Sequence, residues 1–402
     1  MTNANLLPDI TTHRFNQQNK NDAAYTRDFS RGFLPLEDPL LRLPHTFDAW
    51  EAVAQMLPKL TLSDYLRSTV DALPPFPVDQ LQTIRELERA MTLLSFMGNS
   101  YVFAPDQPVA TQLPVNLARG WVAVAKRLGR PPMLTYASHA LYNWRRIDPN
   151  GPLALGNLTL IQNFLGGMDE EWFTMVHVNI EAAAGRGLAV LLSAQSAVTQ
   201  DDALALEGYL HAIAATLQTL HDLLARMPER CDPHIYYHRV RPLIFGWKDN
   251  PLLPGGMIYT GVPEFGDKPQ QFRGETGAQS SVIYAFDATL GIEHEFDAMR
   301  AYLMEMREYM PVPDRAFIEM LEQGPSVRTY VAAHKATKPW LRDAYNDCIE
   351  KLQQFRQLHI EYAALYIIKP AQGAKQGEVG TGGTPFTVYL KKHIQETKTH
   401  SL

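Results

Sequence analysis

"WLRDAYNDCIEKLQQFRQLHIEYAALYII", residues 340–368, reads as one long helix that is apolar on a single face. Cys348, Ile349, Leu352, Phe355, Tyr362, Ala363 and Tyr366 share that face. His359 lies four residues after Phe355 and four before Ala363, so its imidazole turns inward with them. An inward histidine is either a core residue bonded to nearby carbonyls or a ligand. Helical spacing does not separate the two.

The same period recurs on either side. "FDAWEAVAQMLPKL" (47–60), "VDQLQTIRELERAMTLLSFMGNSYVF" (78–103) and "PVNLARGWVAVAKRLG" (114–129) read as helices, parted by "LPPFP" and "APDQP". "MLTYASHALYNWRRIDPNGPLAL" carries a helical pattern that ends in a loop at 148–151, where a domain boundary is expected. "MDEEWFTMVHVNIEAAAGRGLAVLLSAQSAV" and "DDALALEGYLHAIAATLQTLHDLLARM" continue the pattern. Past a Gly/Pro-dense loop at 251–277, helices resume and end with a short "FTVYLKKHI". Strand signals are sparse and no repeat is evident. The expectation is an all-α chain: a smaller helical domain over 1–150, opening with an extended arm to about residue 45, and a larger one over 151–402 with a mobile loop near 371–385.

Composition narrows the function classes. The 402 residues are 46% hydrophobic and 20% charged, with a formal net charge of −6, so no basic face is offered to nucleic acid or anionic lipid. Cys231 and Cys348 are the only cysteines and form no CxxC pair, which argues against a disulfide framework or thiolate cluster. The N-terminus has no apolar core of a leader, and no apolar run approaches the roughly 20 residues of a membrane span. The expectation is a soluble cytoplasmic protein.

Metal-ligand spacing is missing as well. There is no HExxH; His177 and Glu181 read equally as a helix pair, and "EHE" at 293–295 as a solvated helix start. A single inward histidine without companion ligands suits haem, whose porphyrin supplies four nitrogens and asks the protein for one axial donor. Arg356, one turn before His359, could reach a propionate. Asp287, in "SSVIYAFDATLG", lies at the edge of its apolar stripe, where a buried acid needs a cationic partner and an exposed one does not.

Several segments together resemble the indoleamine 2,3-dioxygenase family: "PPMLTYASHALYNWRRIDP", "NIEAAAG", "RVRPLIFGWKDNPLLPGGMIYTGV", "FRGETGAQSSVIYAFDATLGI", "MREYMPVPDRAFIEMLE", "SVRTYV", "LRDAYNDCIEKLQQFRQLHIEYAALYII" and "GTGGTP". They follow the family's order over roughly residues 120–390. The resemblance implies haem b in the C-terminal domain, with His359 as proximal ligand, Asp287 hydrogen-bonded on that side and Arg356 at a propionate. It implies Arg241 at the substrate carboxylate, a role suited to a guanidinium fork. Tyr236 and Tyr237 stand where the family presents phenylalanines, and Phe173 and Tyr136 match two further pocket aromatics. Thr276, Gly277 and Ala278 correspond to small residues over the haem. Gly380, Thr381 and Gly382 correspond to the loop that closes on the amino-acid end of the substrate; composition alone makes that loop a linker.

Two departures bear on the substrate. His177 occupies a distal position where better-known members have a small serine, and His139 replaces a smaller residue at the back of the pocket. His177 could accept the indole N–H, bond oxygen, or coordinate iron. Together with Tyr236 these changes make the pocket more polar than a plain indole requires. The implied activity is opening of the indole ring of tryptophan or a related indole by O2, giving an N-formylkynurenine-type product, with Arg241, Thr381 and His177 as the working side chains. The alternatives are a haem-based gas or ligand sensor or carrier, and an indole monooxygenase. Neither the electron donor nor the oligomeric state is legible.

Overall fold

The computed structural model of the chain describes residues 28–295, 297–371 and 386–402. It is all-α: the longest strands among the described residues have three residues. Helices α1 (Asp48–Leu60), α2 (Ile84–Phe103) and α3 (Val115–Leu128) come first. The apolar pattern reaches back to Val78, but α2 starts later, where Thr83 and Glu86 cap each other reciprocally. Gly129, at φ 67°, ends α3.

The pattern over 133–147 does not make a helix. Ala137–Leu141 is a single π-type turn, and Trp144–Arg146 then pairs antiparallel with Leu158–Leu160. Trp144 and Leu160 face each other across that ladder and are both buried, so cross-strand packing replaces helical packing here.

Next come α4 (Met168–Leu188), α5 (Leu191–Thr199) and α6 (Ala203–Leu224). The stretch Met168–Thr199 is long and apolar enough to cross a membrane by length and composition, and 61% of its apolar window is buried inside the protein. It is two helices rather than the one expected, parted at residues 189–190. The remainder comprises α7 (Val282–Leu290), α8 (Ala298–Arg307), α9 (Val312–Gln323), α10 (Val327–His334), α11 (Pro339–Ala363) and α12 (Phe386–Thr399).

Helix α11 packs along α6, α6 along α4, and α12 along α11. Leu210, Ile213 and Leu217 of α6 meet Cys348, Ile349 and Leu352 of α11 in the core. Full burial of such side chains contributes about 1.5–3 kcal/mol each. One to three turns further along α11 the packing stops: Phe355, His359 and Ala363 front a cavity instead of another helix. That change of partner on one helix face positions the site.

The described part of the arm, residues 28–44, has turns but no helix, and it packs on this chain. Phe29 and Phe33 set their rings 4.7 and 6.1 Å from Phe317 of α9. Gly32, at φ +61°, lies so close to α4 that an added Cβ would sit 1.8 Å from the Glu181 carbonyl oxygen.

Candidate active site

A cavity of about 720 Å³ opens between α7, α11, the start of α8 and the inner face of α4. His359 projects into it from α11, with ring surface facing cavity space. Burial of the site, reinforced by His177, pushes the imidazole down to about 4. At neutral pH the ring is therefore uncharged and carries a lone pair, which an axial ligand requires.

Asp287 and Arg356 face each other beside it, 2.5 Å apart. Burial alone would raise the Asp287 carboxyl, but Arg356 and His294 outweigh it and hold the group below its ordinary range. Arg356 also donates to Thr397 of α12. His294 stands between two carboxylates, with Nδ1 2.6 Å from Glu396 and Nε2 3.6 Å from Asp287. "EHE" is thus no solvated helix start: its histidine ties the cavity edge to α12. The apolar cavity walls (Ile180, Val282, Ile283, Ile367), the neutral His359 imidazole and cations at the edge fit a flat apolar macrocycle with acidic side groups.

The opposite wall holds Tyr136, His177, Thr276, Gly277 and Ala278. His177 Nδ1 lies 2.7 Å from the Phe173 carbonyl oxygen, which can only accept. Nδ1 is therefore the protonated nitrogen, and Nε2 keeps a bare lone pair. Burial lowers the ring's pKa, keeping it neutral. His177 and Glu181 do not form the helix pair the spacing allowed: Glu181 is fully buried and accepts from Ser280 at 2.6 Å. Thr276 caps the short turn Gly277–Gln279 with its side chain.

Phe173, Tyr236 and His139 stand behind this wall. The Phe173 ring is 4.6 Å from both His177 and Tyr236, and 6.1 Å from His139. Tyr236 and Tyr237 sit on a π-type turn, Tyr236–Val240, whose start Asp232 caps one turn earlier. Arg241 comes directly after. It is fully buried, its guanidinium stacked 5.0 Å from the Tyr237 ring and 4.7 Å from that of Phe245. It lies off the cavity wall. Gly380, Thr381 and Gly382 fall outside the described residues.

Sequence reading missed Glu275 and gave Glu181 and His294 other settings, a helix pair and a solvated helix start. Glu275 is buried with its Oε1 3.7 Å from His139 Nδ1. Each of these groups owes its place to a partner distant in sequence, so no spacing pattern marks it.

Residues 21–400 match the family model described as indoleamine 2,3-dioxygenase. Indoleamine 2,3-dioxygenase 1 of Rattus norvegicus is 36% identical over 388 residues, covering 93% of this chain and 94% of the relative. Indoleamine 2,3-dioxygenase 2 of Homo sapiens is 35% identical over 380 residues, covering 91% and 92%. A 6-hydroxytryptophan 2,3-dioxygenase of Fusarium equiseti is 31% identical over 388 residues, covering 91% and 94%.

Proposed function

The chain belongs to the indoleamine 2,3-dioxygenase family and is a dioxygenase of tryptophan or a related indole; from that premise we propose how its own residues divide the work. The observation that carries the reading is one cavity with the neutral His359 on its α11 side and the bare Nε2 of His177 on its α4 side. The family depends on haem, and in this reading His359 would hold the iron of haem b in the cavity while Arg356, steadied by Asp287, would meet one of its acidic side groups.

When bound, the haem supplies the iron at which dioxygen chemistry is possible. The chain's side chains position the organic substrate. The indole packs against Phe173 and Tyr236, and its N–H donates to His177 Nε2, which the Phe173 carbonyl has fixed as an acceptor. Arg241 is the proposed partner of the substrate carboxylate; its planar fork, stacked against Tyr237 and Phe245, would have to turn toward the cavity to reach it. Thr381, with Gly380 and Gly382, completes the amino-acid end. Positioning of this kind accounts for a large share of rate in such sites. Two buried, unbridged cysteines suit a reducing compartment, and a cytoplasmic location is part of the reading, as is the division into domains over 1–150 and 151–402.

The test uses haem-loaded protein, reduced anaerobically and mixed with oxygen and L-tryptophan. Arg241→Ala should raise KM by about tenfold or more, the scale of a lost charge-assisted bond, while the haem spectrum stays intact. An unchanged KM would remove Arg241 from the substrate's carboxylate.

A further inference from the structure

We propose that His234 and His238 form a surface site for a divalent transition-metal ion such as zinc, and that the bound ion stiffens the turn that carries Tyr236 and Tyr237 and leads into Arg241. Neither histidine lines the cavity. The site's bearing on catalysis rests on the functional reading above.

Local structure puts the two imidazoles side by side. Asp232 accepts from the backbone N–H groups of His234 and Ile235 at 2.9 and 3.0 Å, which fixes where the helical segment begins. The chain then runs through Pro233–Ile235 into the π-type turn Tyr236–Val240. Residues four apart on a helical segment share a face, and here the two ring centroids are 4.4 Å apart. Tyr236 and Tyr237 turn into the protein, whereas both histidines are exposed. No hydrogen bond to a described residue ties either imidazole down. The fold thus brings together two nitrogen donors that it does not itself use.

The donors select the ion. Two nitrogens held by one zinc ion at about 2.0–2.1 Å each stand at most about 4.2 Å apart, so rings this close need little more than rotation about their own side-chain bonds to share it. The same spacing of four places both histidines of an HExxH helix on one zinc. Imidazole favours zinc, copper and nickel, while magnesium and calcium take oxygen donors. No group of three or more metal-binding side chains forms among the described residues, so water fills the rest of the shell. An open shell of this kind suits an exchangeable ion rather than a structural one. Its place gives the ion a consequence. Arg241 has to leave its stack on Tyr237 and Phe245 to meet a substrate carboxylate. An ion that ties residue 234 to residue 238 restrains the turn from which that movement starts, and so weakens the hold on the substrate's amino-acid end.

Calorimetric titration of the haem-loaded protein with zinc chloride, and with magnesium chloride as control, reads the site directly. Zinc should bind at one ion per chain and magnesium should not. His234→Ala or His238→Ala should weaken zinc binding by about tenfold or more, no less than the loss of an outer-shell partner costs. The double variant should lose that ion, and since both side chains are exposed the fold is spared. In the wild type, zinc should also slow hydrogen exchange over residues 236–241 and raise the KM for L-tryptophan; in the double variant it should do neither. Absence of zinc binding, equal uptake of magnesium, zinc binding that survives in the double variant, or bound zinc that leaves exchange and KM unchanged would overturn the proposal. Binding and exchange need no turnover, which keeps the two readings apart. An enzyme that opens the tryptophan ring but ignores zinc sinks this inference alone. One that binds zinc through the pair and slows exchange, yet never opens the ring, sinks the functional reading alone.

Discussion

At His177 the hydrogen bond that decides the chemistry is the one pointing away from the cavity. Because Nδ1–H is spent on the Phe173 carbonyl, the ring offers the cavity an acceptor and not a donor, which on the proposed reading would take the indole N–H. A substrate methylated on the indole nitrogen has nothing to give it. The wild-type enzyme should therefore turn over 1-methyl-L-tryptophan with kcat/KM about tenfold or more below that of L-tryptophan, and His177→Ala should narrow the gap. If the ratio is the same in both proteins, Nε2 is not the indole acceptor. At this scale legibility divides by sequence distance. His359 and Arg356 stand one turn apart on a strongly periodic helix, and Asp287 lies on the edge of another, so spacing could turn them inward while their roles came only from the family resemblance. His139 with Glu275, and His294 with Glu396, are each about a hundred residues apart or more, and no local pattern ties such partners together.

Three helical elements near the cavity contain a π-type turn: Ala137–Leu141 beside Tyr136, Tyr236–Val240 before Arg241, and Ala364–Ile368 just after His359. Each wider turn shifts the register of the residues after it, a local strain that an apolar pattern does not announce and that recurs at functional sites. The helices themselves were legible from period and caps, as Thr83 and Gly129 show. Helix α12 was legible as a helix but not for what it does. It is bound to the cavity edge by Glu396 on His294, Thr397 on Arg356, and Lys392 on Asp297 at 2.6 Å. Burial disfavours a charged His294, but Asp287 and Glu396 outweigh it and raise its pKa above the ordinary 6.5. A group raised on folding stabilises fully below its unfolded value, and the contribution fades as pH climbs through the folded one. Docking of α12 should thus be firm near pH 6 and loosen on the alkaline side. Hydrogen exchange of residues 392–399, corrected for intrinsic rates, should speed up from pH 6 to pH 9 in the wild type and show a flatter dependence in His294→Gln. Equal slopes would mean that His294 does not hold the helix.

On the scale of the whole molecule, the site belongs to no single half of the chain. The boundary proposed near residue 150 rests on a Pro/Gly loop, which is a local feature; side-chain chemistry that leaves no compositional trace crosses it. Asn99 of α2 donates to the carbonyls of Leu243 and Phe245 at 2.9 and 3.1 Å, bracing the segment that carries Arg241. Gln279 accepts from the Tyr136 N–H at 2.9 Å, and Tyr259 donates to the Pro132 carbonyl. Gly32 of the arm rests on α4 at Glu181, one turn from His177. The apolar core runs unbroken from Phe29 to Tyr366. All the proximal residues lie after residue 150, so a haem site made of His359, Arg356 and Asp287 alone would survive removal of the first 150 residues. The contacts across the boundary argue otherwise, because the cavity's far wall needs Tyr136 and the arm to hold its shape. Residues 151–402 expressed alone should therefore fail to give the haem absorption spectrum of the full chain on titration with haem, and should bind a dye that reports exposed apolar surface. Adding residues 1–150 as a separate chain should restore part of the spectrum if the contacts suffice without the peptide link. A fragment that takes up haem with the full chain's spectrum and affinity would show that the first 150 residues shape only the substrate side.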